Sequence, residues 1–442
     1  MPTNNHGSLC PTFVLKHASV TDLGMRRTNN QDALAVMVTD DVSTWASRGH
    51  LLMVADGMGA HAAGELASKI AVDNIPHTYF KRRDLYPPAA LRQAIRDANS
   101  AIHAKGQSSI GFQGMGTTCS CLVLLPQGAL VAHIGDSRVY RLRGQVLEQL
   151  TFDHSLVWEM MAAGQMAEED VPAYIPKNVI TRSLGPHSTV QVDLEGPYNA
   201  AAGDVFLLCS DGLSGPITDE ELGAILQCLS PDEAAETLVD LANIRGGPDN
   251  ISVIIARVDG QQPTAEDFTR YSNSEAKRGR AWHTAPLWLA AGACLATLIY
   301  FLTKQLWGGA IVSGVGLIAA LLAAVGLRPR PTGATTPSVG SIGGPYGNGP
   351  YRKTECPPNG RVVATLADVA AMLRALPDKE PGNWSVDWQP FDNQRAQAAS
   401  AVETGDHAAA IRQYCQAIRE IMQQLREKRP THDSDRPEPS TP

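Results

Sequence analysis

The chain of 442 residues lacks a cysteine framework: its eight cysteines are scattered and none forms a Cys-x-x-Cys pair. That excludes the ligand spacing of a zinc ribbon and the pattern of a disulfide-stapled secreted domain. Cys119 and Cys121 fall inside an apolar, strand-like run, where thiols are buried and reduced, so a reducing compartment is expected. No cysteine occupies a recognisable nucleophile motif. The first residues, "MPTNNHGSLCPTF", have no basic segment followed by an apolar one, so a cleaved signal peptide is not expected. Positive charge is also short: the formal net charge is −8, which argues against nucleic acid as the partner.

Charge vanishes altogether in two places. Residues 281–303 carry no Asp, Glu, Lys or Arg, and after Lys304 the run 305–327 is again uncharged. Two such runs back to back are too long for ordinary core helices, and each reaches the roughly 20 residues that cross a bilayer. They predict a transmembrane hairpin of two helices, about 285–303 and 309–327, preceded by a polar linker over 259–280. Arg278 and Arg280 flank one end, and Arg328 and Arg330 the other. The positive-inside rule then places both outer flanks in the cytoplasm, as in a multi-pass protein of the cell membrane. With Lys304 its only ionisable side chain of that kind, the hairpin reads as an anchor and not as an ion pathway. Residues 328–360, rich in Gly and Pro, predict a flexible linker. Residues 361–428 predict helices, compatible with one tetratricopeptide-like unit or a plain helical hairpin, which could bind a protein partner. Residues 429–442 predict a disordered tail.

The first 258 residues alternate short apolar runs with helical ones. Strands are predicted over 51–55, 118–125, 129–134, 138–142, 204–209 and 251–258. Helices are predicted over 62–75, 89–105, 155–163, 219–228 and 231–244, the last signalled by Ser230, Pro231 and Glu233. The helices cluster instead of following every strand, which favours an α+β layered architecture over a doubly wound sheet. Several apolar runs end on an acid: "VADGMG" on Asp56, "AHIGDSR" on Asp136 and "LLCSDG" on Asp211, while Asp249 opens "DNISVII". Acids that converge at one end of a sheet assembly repel one another unless cations sit among them. Asp153 is expected to cap the helix that follows it. Thr117 and Thr118 are expected to hydrogen-bond within the structure and not to touch substrate.

In order and spacing, "TDLGMRRTNNQDA", "VADGMGAHAAGE", "GMGTT", "IGDSR", "CSDG" and "GGPDN" resemble the protein phosphatase 2C family, the metal-dependent Ser/Thr phosphatases. The resemblance covers about residues 12–258. It implies a four-layer αββα sandwich, two packed antiparallel sheets flanked by helices, and a centre of two Mn2+ or Mg2+ ions. Position by position, it implies that Asp56 bridges the two ions and that Gly57 adds a backbone carbonyl. Asp211 and Asp249 would hold the first ion, Asp32 would serve the second, and Asp136 with Asp211 would hold a weaker third. Arg27 would grip the substrate phosphate and His61 would act as general acid. Oxygen-only ligands suit such hard ions, and a water shared between two of them is acidic enough to supply a hydroxide nucleophile. The implied activity is hydrolysis of phosphoserine and phosphothreonine on proteins, opposing a cognate Ser/Thr kinase. Two departures stand out. Gln31 replaces a frequent Glu, and Ala60 replaces a frequent Gly where a positive φ would strain it.

Overall fold

The computed structural model describes residues 14–60, 62–165, 179–260, 343–379 and 386–428, with isolated residues between 293 and 317. The chain opens with strands β1 (Val14–Asp22) and β2 (Asp32–Met37), helix α1 (Val42–Arg48) and strand β3 (His50–Met58). Helices α2 (Ala63–Lys81) and α3 (Pro87–Gln107) follow. Then come β4 (Gly116–Thr117), β5 (Cys119–Leu125), β6 (Gly128–Ile134), β7 (Arg138–Arg143), β8 (Val146–Gln149) and α4 (Leu156–Ala162). Next are β9 (Asp193–Tyr198), β10 (Val205–Cys209), the single turn α5 (Asp211–Ser214), α6 (Asp219–Cys228), α7 (Pro231–Ile244) and β11 (Ile251–Asp259). Beyond residue 342 lie β12 (Arg352–Glu355), α8 (Gly360–Lys379), α9 (Gln389–Glu403) and α10 (His407–Lys428).

Two antiparallel sheets result. One runs β1-β11-β10-β7-β8-β12, the other β2-β3-β5-β6-β9 with β4 against β3. Successive side chains of a strand point to opposite faces, and their burial sorts the layers. Leu51, Met53 and Ala55 of β3 join the core under α2 and α3. Val205, Leu207 and Cys209 of β10 join the core under α6 and α7. The alternate residues Leu52, Val54, Phe206 and Leu208 are fully buried on the opposite faces, between the sheets. The expected αββα order is therefore present, and covering both sheet faces explains why the central strands read as continuous apolar runs. Both α6 and α7 begin with capping boxes, Thr218 with Glu221 and Ser230 with Glu233.

The carboxy-terminal region corrects two expectations. Half of the predicted linker is a strap of defined structure: Gly349 N–H and Tyr351 OH both donate to Glu195, and β12 pairs in register with β8. Cys356 continues it, its Cβ set where a Cβ on Gly223 of α6 would stand only 2.4 Å away. The helices after it are not a separate domain. Leu366 of α8, Phe391 of α9 and Ile411 and Ile418 of α10 share one core with Leu222 and Leu226 of α6 and Leu238 of α7. Arg419 pairs with Glu236 at 2.8 Å, and Arg426 pairs with the buried Asp240. Their apolar face is thus covered from within the chain.

The described residues of 14–260 and 343–428 belong to one compact unit. Most of the predicted hairpin falls outside the described residues, as do most of the 259–280 linker and all of the 429–442 tail. No helix among the described residues is long and apolar enough to cross a membrane.

Candidate metal centre and active site

The predicted acids come together where strand ends of the two sheets meet. Asp32 opens β2 and faces Asp56 of β3 as its direct cross-strand partner, so both carboxylates share one face. Asp136 sits in the turn that carries the chain from β6, in one sheet, to β7, in the other. Asp211 begins α5 just past the end of β10, and Asp249 lies two residues before β11, the strand paired with β10. Buried side-chain hydroxyls and amides hold this frame. Thr118 Oγ1 accepts from Asp56 N–H at 2.9 Å and bonds Ser137 Oγ at 2.7 Å, while Thr117 Oγ1 donates to the Asp56 carbonyl at 2.9 Å. The threonines are structural, as expected.

Four carboxylate oxygens in this cluster are buried without a well-formed hydrogen bond: both of Asp32, which have only the Ser252 and Ser210 hydroxyls nearby, Oδ1 of Asp136 and Oδ1 of Asp211. Burial pushes the Asp32 carboxyl up to about 7; Asp211 and Asp249 add to the rise, and the Ser252 and Ser210 hydroxyls offset part of it. Burial pushes Asp136 up to about 8, with Asp211 and Asp153 contributing. Asp56 is driven well above the usual carboxylate range by burial and then by Asp32, Asp211, Asp136 and Asp249. Asp211 rises too, through burial and Asp249, an interaction with the Asp56 carboxyl pulling the other way. Orphaned acceptors of one charge sign are what a cation would satisfy, and an all-oxygen set suits Mg2+ or Mn2+. Among the described residues, no three acidic, His or Cys side chains close on a single point as a finished ligand cage. A first ion held by Asp56, Asp211 and Asp249 together therefore needs these carboxylates to draw closer than they stand here, with Asp249 leaving its pairing with Arg27.

Other predicted residues find different surroundings. The Arg27 guanidinium donates to Asp249 Oδ2 at 2.6 Å, so in this structure it pairs with a predicted ligand. Gly57 is needed for space: a Cβ there would lie 2.2 Å from the Gly64 carbonyl of α2 and 2.4 Å from that of Gln31. The positive φ expected of Ala60 belongs to Gly59, at +147°, and Ala60 has an ordinary backbone. Gln31 suits its place, its Nε2 donating to the Gly59 carbonyl at 3.3 Å, which a carboxylate could not do. His61 lies outside the described residues.

Asp153 is a correction. The cap of α4 is Ser155, whose side chain accepts from Trp158 N–H. Asp153 is buried, with Arg138 at 2.8 Å and the Gln149 amide at 2.9 Å. A residue that composition did not single out is Asn250. Its Oδ1 accepts from Gln31 N–H, and its Nδ2 donates to the carbonyls of Leu23 and Asn29. It clamps the loop that carries Arg27 and Asp32; its only sequence signal is its place beside Asp249. Leading from Asp136 and Asp211, a groove of about 790 Å3 runs past Arg138 and Trp158 toward the strap.

Residues 25–242 match the protein phosphatase 2C family. A putative protein phosphatase 2C-type from Streptococcus pyogenes is 37% identical over 246 residues, 54% of this chain and 96% of the relative. The serine/threonine protein phosphatase PstP of Mycobacterium tuberculosis is 38% identical over 247 residues, 56% of this chain but 46% of that protein, under half of its length. The solved serine/threonine phosphatase of S. agalactiae is 32% identical with a TM-score of 0.50, over 55% of this chain and all of that one. With its ordered acids gathered at the sheet ends and nearly the whole of such a relative matched, the chain belongs to the protein phosphatase 2C family.

Proposed function

We propose that this protein is a metal-dependent Ser/Thr protein phosphatase that releases phosphate from phosphoserine and phosphothreonine and so opposes a Ser/Thr kinase. The observation that carries the reading is the set of buried, unpartnered carboxylate oxygens on Asp32, Asp136 and Asp211 around Asp56. Asp56, Asp211, Asp249 and Asp32 would hold two Mn2+ or Mg2+ ions, with the Gly57 carbonyl as a further donor and Asp136 joining Asp211 at a weaker third. When bound, such ions acidify coordinated water and so supply the nucleophile. The protein's own residues do the rest. Thr117 and Thr118 fix the backbone of Asp56, and Asn250 fixes the Arg27 loop. Arg27, half exposed at the rim, offers its planar fork to phosphate oxygens once Asp249 turns to a cation. His61 is the candidate proton donor to the leaving alkoxide. The test is phosphate release from phosphothreonine peptides by the full chain, with Mn2+ and with chelator. Equal rates in both would sink the metal-dependent reading.

The same chain is read as membrane-anchored by the hairpin over 281–327, with the phosphatase unit and the carboxy terminus in the cytoplasm. The described residues on both flanks of the segment, within 14–260 and 343–428, belong to one compact unit. A membrane-crossing segment between them must therefore cross an even number of times, as two helices do. Fractionation with protease protection tests this: a phosphatase unit recovered in the soluble fraction, or shielded from cytoplasmic protease, overturns it.

A further inference from the structure

His154 is buried and directs its hydrogen bonds at the turn that carries Asp136. Its own N–H donates to the Gly135 carbonyl at 2.7 Å, and its ring Nδ1 accepts from Gly135 N–H at 3.0 Å. Both backbone polar groups of Gly135 are thus held by one residue. On the other side of Asp136, the Ser137 carbonyl accepts from Ser120 Oγ at 2.7 Å, and the Ser137 hydroxyl bonds Thr118. Gly135 can carry no side chain here: its φ is +112°, and a Cβ would lie 2.5 Å from Thr118 Cγ2. Between these two anchors stands the acid whose Oδ1 is buried without a hydrogen-bond partner.

The network also fixes which ring nitrogen carries the proton. An N–H donates to Nδ1, so Nδ1 is the lone pair and Nε2 holds the hydrogen. That hydrogen goes to Asp193 Oδ2 of β9 at 2.9 Å, and Arg182 holds the other oxygen, Oδ1, at 2.8 Å. The opposite tautomer would set two N–H groups against each other at Gly135 and leave Asp193 without its donor. The ring of His133, from β6, stacks on that of His154 with centroids 4.9 Å apart and confines it. Asp193, His154 and Gly135 therefore form a line of hydrogen bonds that ends one residue from Asp136. Outer carboxylates orient metal-bound imidazoles in this way. Here the imidazole holds the backbone beside a ligand and not the ion.

We propose that His154, kept in that tautomer by Asp193, is the positioning residue of Asp136 and sets the affinity of the weaker third ion. This rests on the phosphatase reading and deepens its metal site. Two near-isosteric variants separate the bonds. In His154→Asn the amide oxygen stands near the place of Nδ1 and can still accept from Gly135 N–H. In His154→Gln the amide stands near the place of Nε2, reaches Asp193 and leaves Gly135 N–H without its acceptor. Mn2+ titration of the full chain by calorimetry reads the outcome. His154→Gln should weaken the low-affinity binding step by about tenfold or more, as losing a support of a metal ligand does, and leave the tight binding unchanged. His154→Asn should stay within about threefold of the unaltered chain. Asp193→Ala, at a side chain 27% exposed on an edge strand, should weaken the same step by about fivefold, and it decides the matter if neither ring replacement folds. Equal effects of Asn and Gln, which a histidine that only fills space would give, overturn the proposal. So does a tight step lost together with the weak one, an Asp193→Ala protein that binds as the unaltered chain does, or an unaltered chain with no weaker step. Failure of the phosphatase reading looks different: the unaltered chain would bind no Mn2+ and release no phosphate.

Discussion

The groove joins two regions that treat buried charge in opposite ways. At the metal end, Asp136 and Asp211 each keep one buried oxygen with no hydrogen bond, and burial followed by repulsion raises the pKa of both. Toward the strap, Asp153 is equally buried but accepts from Arg138 and Gln149. Burial raises the Asp153 pKa too, but there Arg138 opposes the rise. A buried acid with its own partner belongs to the scaffold, and a buried acid without one is reserved for something the chain does not contain. Asp240 stands between the two: one oxygen meets Arg426 and so ties α10 to α7, while Oδ2 is buried without a partner.

The contrast can be broken most sharply at Asp56. Asp56→Asn should lower Mn2+-dependent phosphate release by at least about 100-fold, the upper end of what losing only a support of a metal ligand costs. The same variant should raise the Tm of the chelated protein, because an amide in that buried place cannot ionise against Asp32, Asp211, Asp136 and Asp249. A variant of full rate would remove Asp56 from the centre. Asp153→Asn should do the reverse. It leaves Arg138 buried without its counter-charge, costing about 3 kcal/mol of stability in denaturant melts, while calorimetry should still find Mn2+ binding. Leu366→Ala, in α8, should cost a similar amount, about 3 kcal/mol, and should shift a single unfolding transition. Two separate transitions would instead mean that the carboxy-terminal helices fold apart from the phosphatase core.

A smaller effect is set by pH. Asp32 and Asp136 titrate at about 7 and about 8 in the folded chain, above the roughly 3.9 of an unfolded Asp. Between these limits the native state holds protons that the unfolded chain has lost. The stability they confer is complete below pH 4 and is lost as pH rises through 7 and 8. With chelator present, Tm should fall across this window, by up to about 1.4 kcal/mol of stability per pH unit for each group. Saturating Mn2+ should flatten the profile, and a flat profile in chelator would contradict the unpartnered state of these acids. The smallest change expected is at Ser155. Its replacement by alanine should cost about 1 kcal/mol, whereas an Asp153 that was only a cap would cost no more than that.

Legibility in the sequence followed burial. All six predicted strands are present, and all lie inside their sheets, where both faces are covered and composition alone betrays them. The strands that escaped prediction include all four edges, β1, β12, β2 and β9. Their polar sequences, such as Arg352-Lys353-Thr354-Glu355, are ordinary for an edge that must not pair further, and only a neighbour's backbone makes them strands. For the site, the ordered acids were readable because each closes or opens an apolar run. The partner of each acid was not, since Arg138 and Asp153 are far apart on any local reading yet meet at 2.8 Å.

By itself, then, the chain's order of residues determined the family, the central strands and which carboxylates gather. These follow from local composition and from acids placed at strand ends. Tertiary structure alone decided that Asp153 is scaffold, that Gly57 is glycine because α2 crosses it, and that Arg27 pairs with Asp249 in this structure. It also decided that a stretch read as linker returns to the catalytic sheet and walls its groove. The physical reason is common to all of these. Each depends on which groups meet across long separations, where hydrogen bonds and desolvation are settled by the partner and not by the residue.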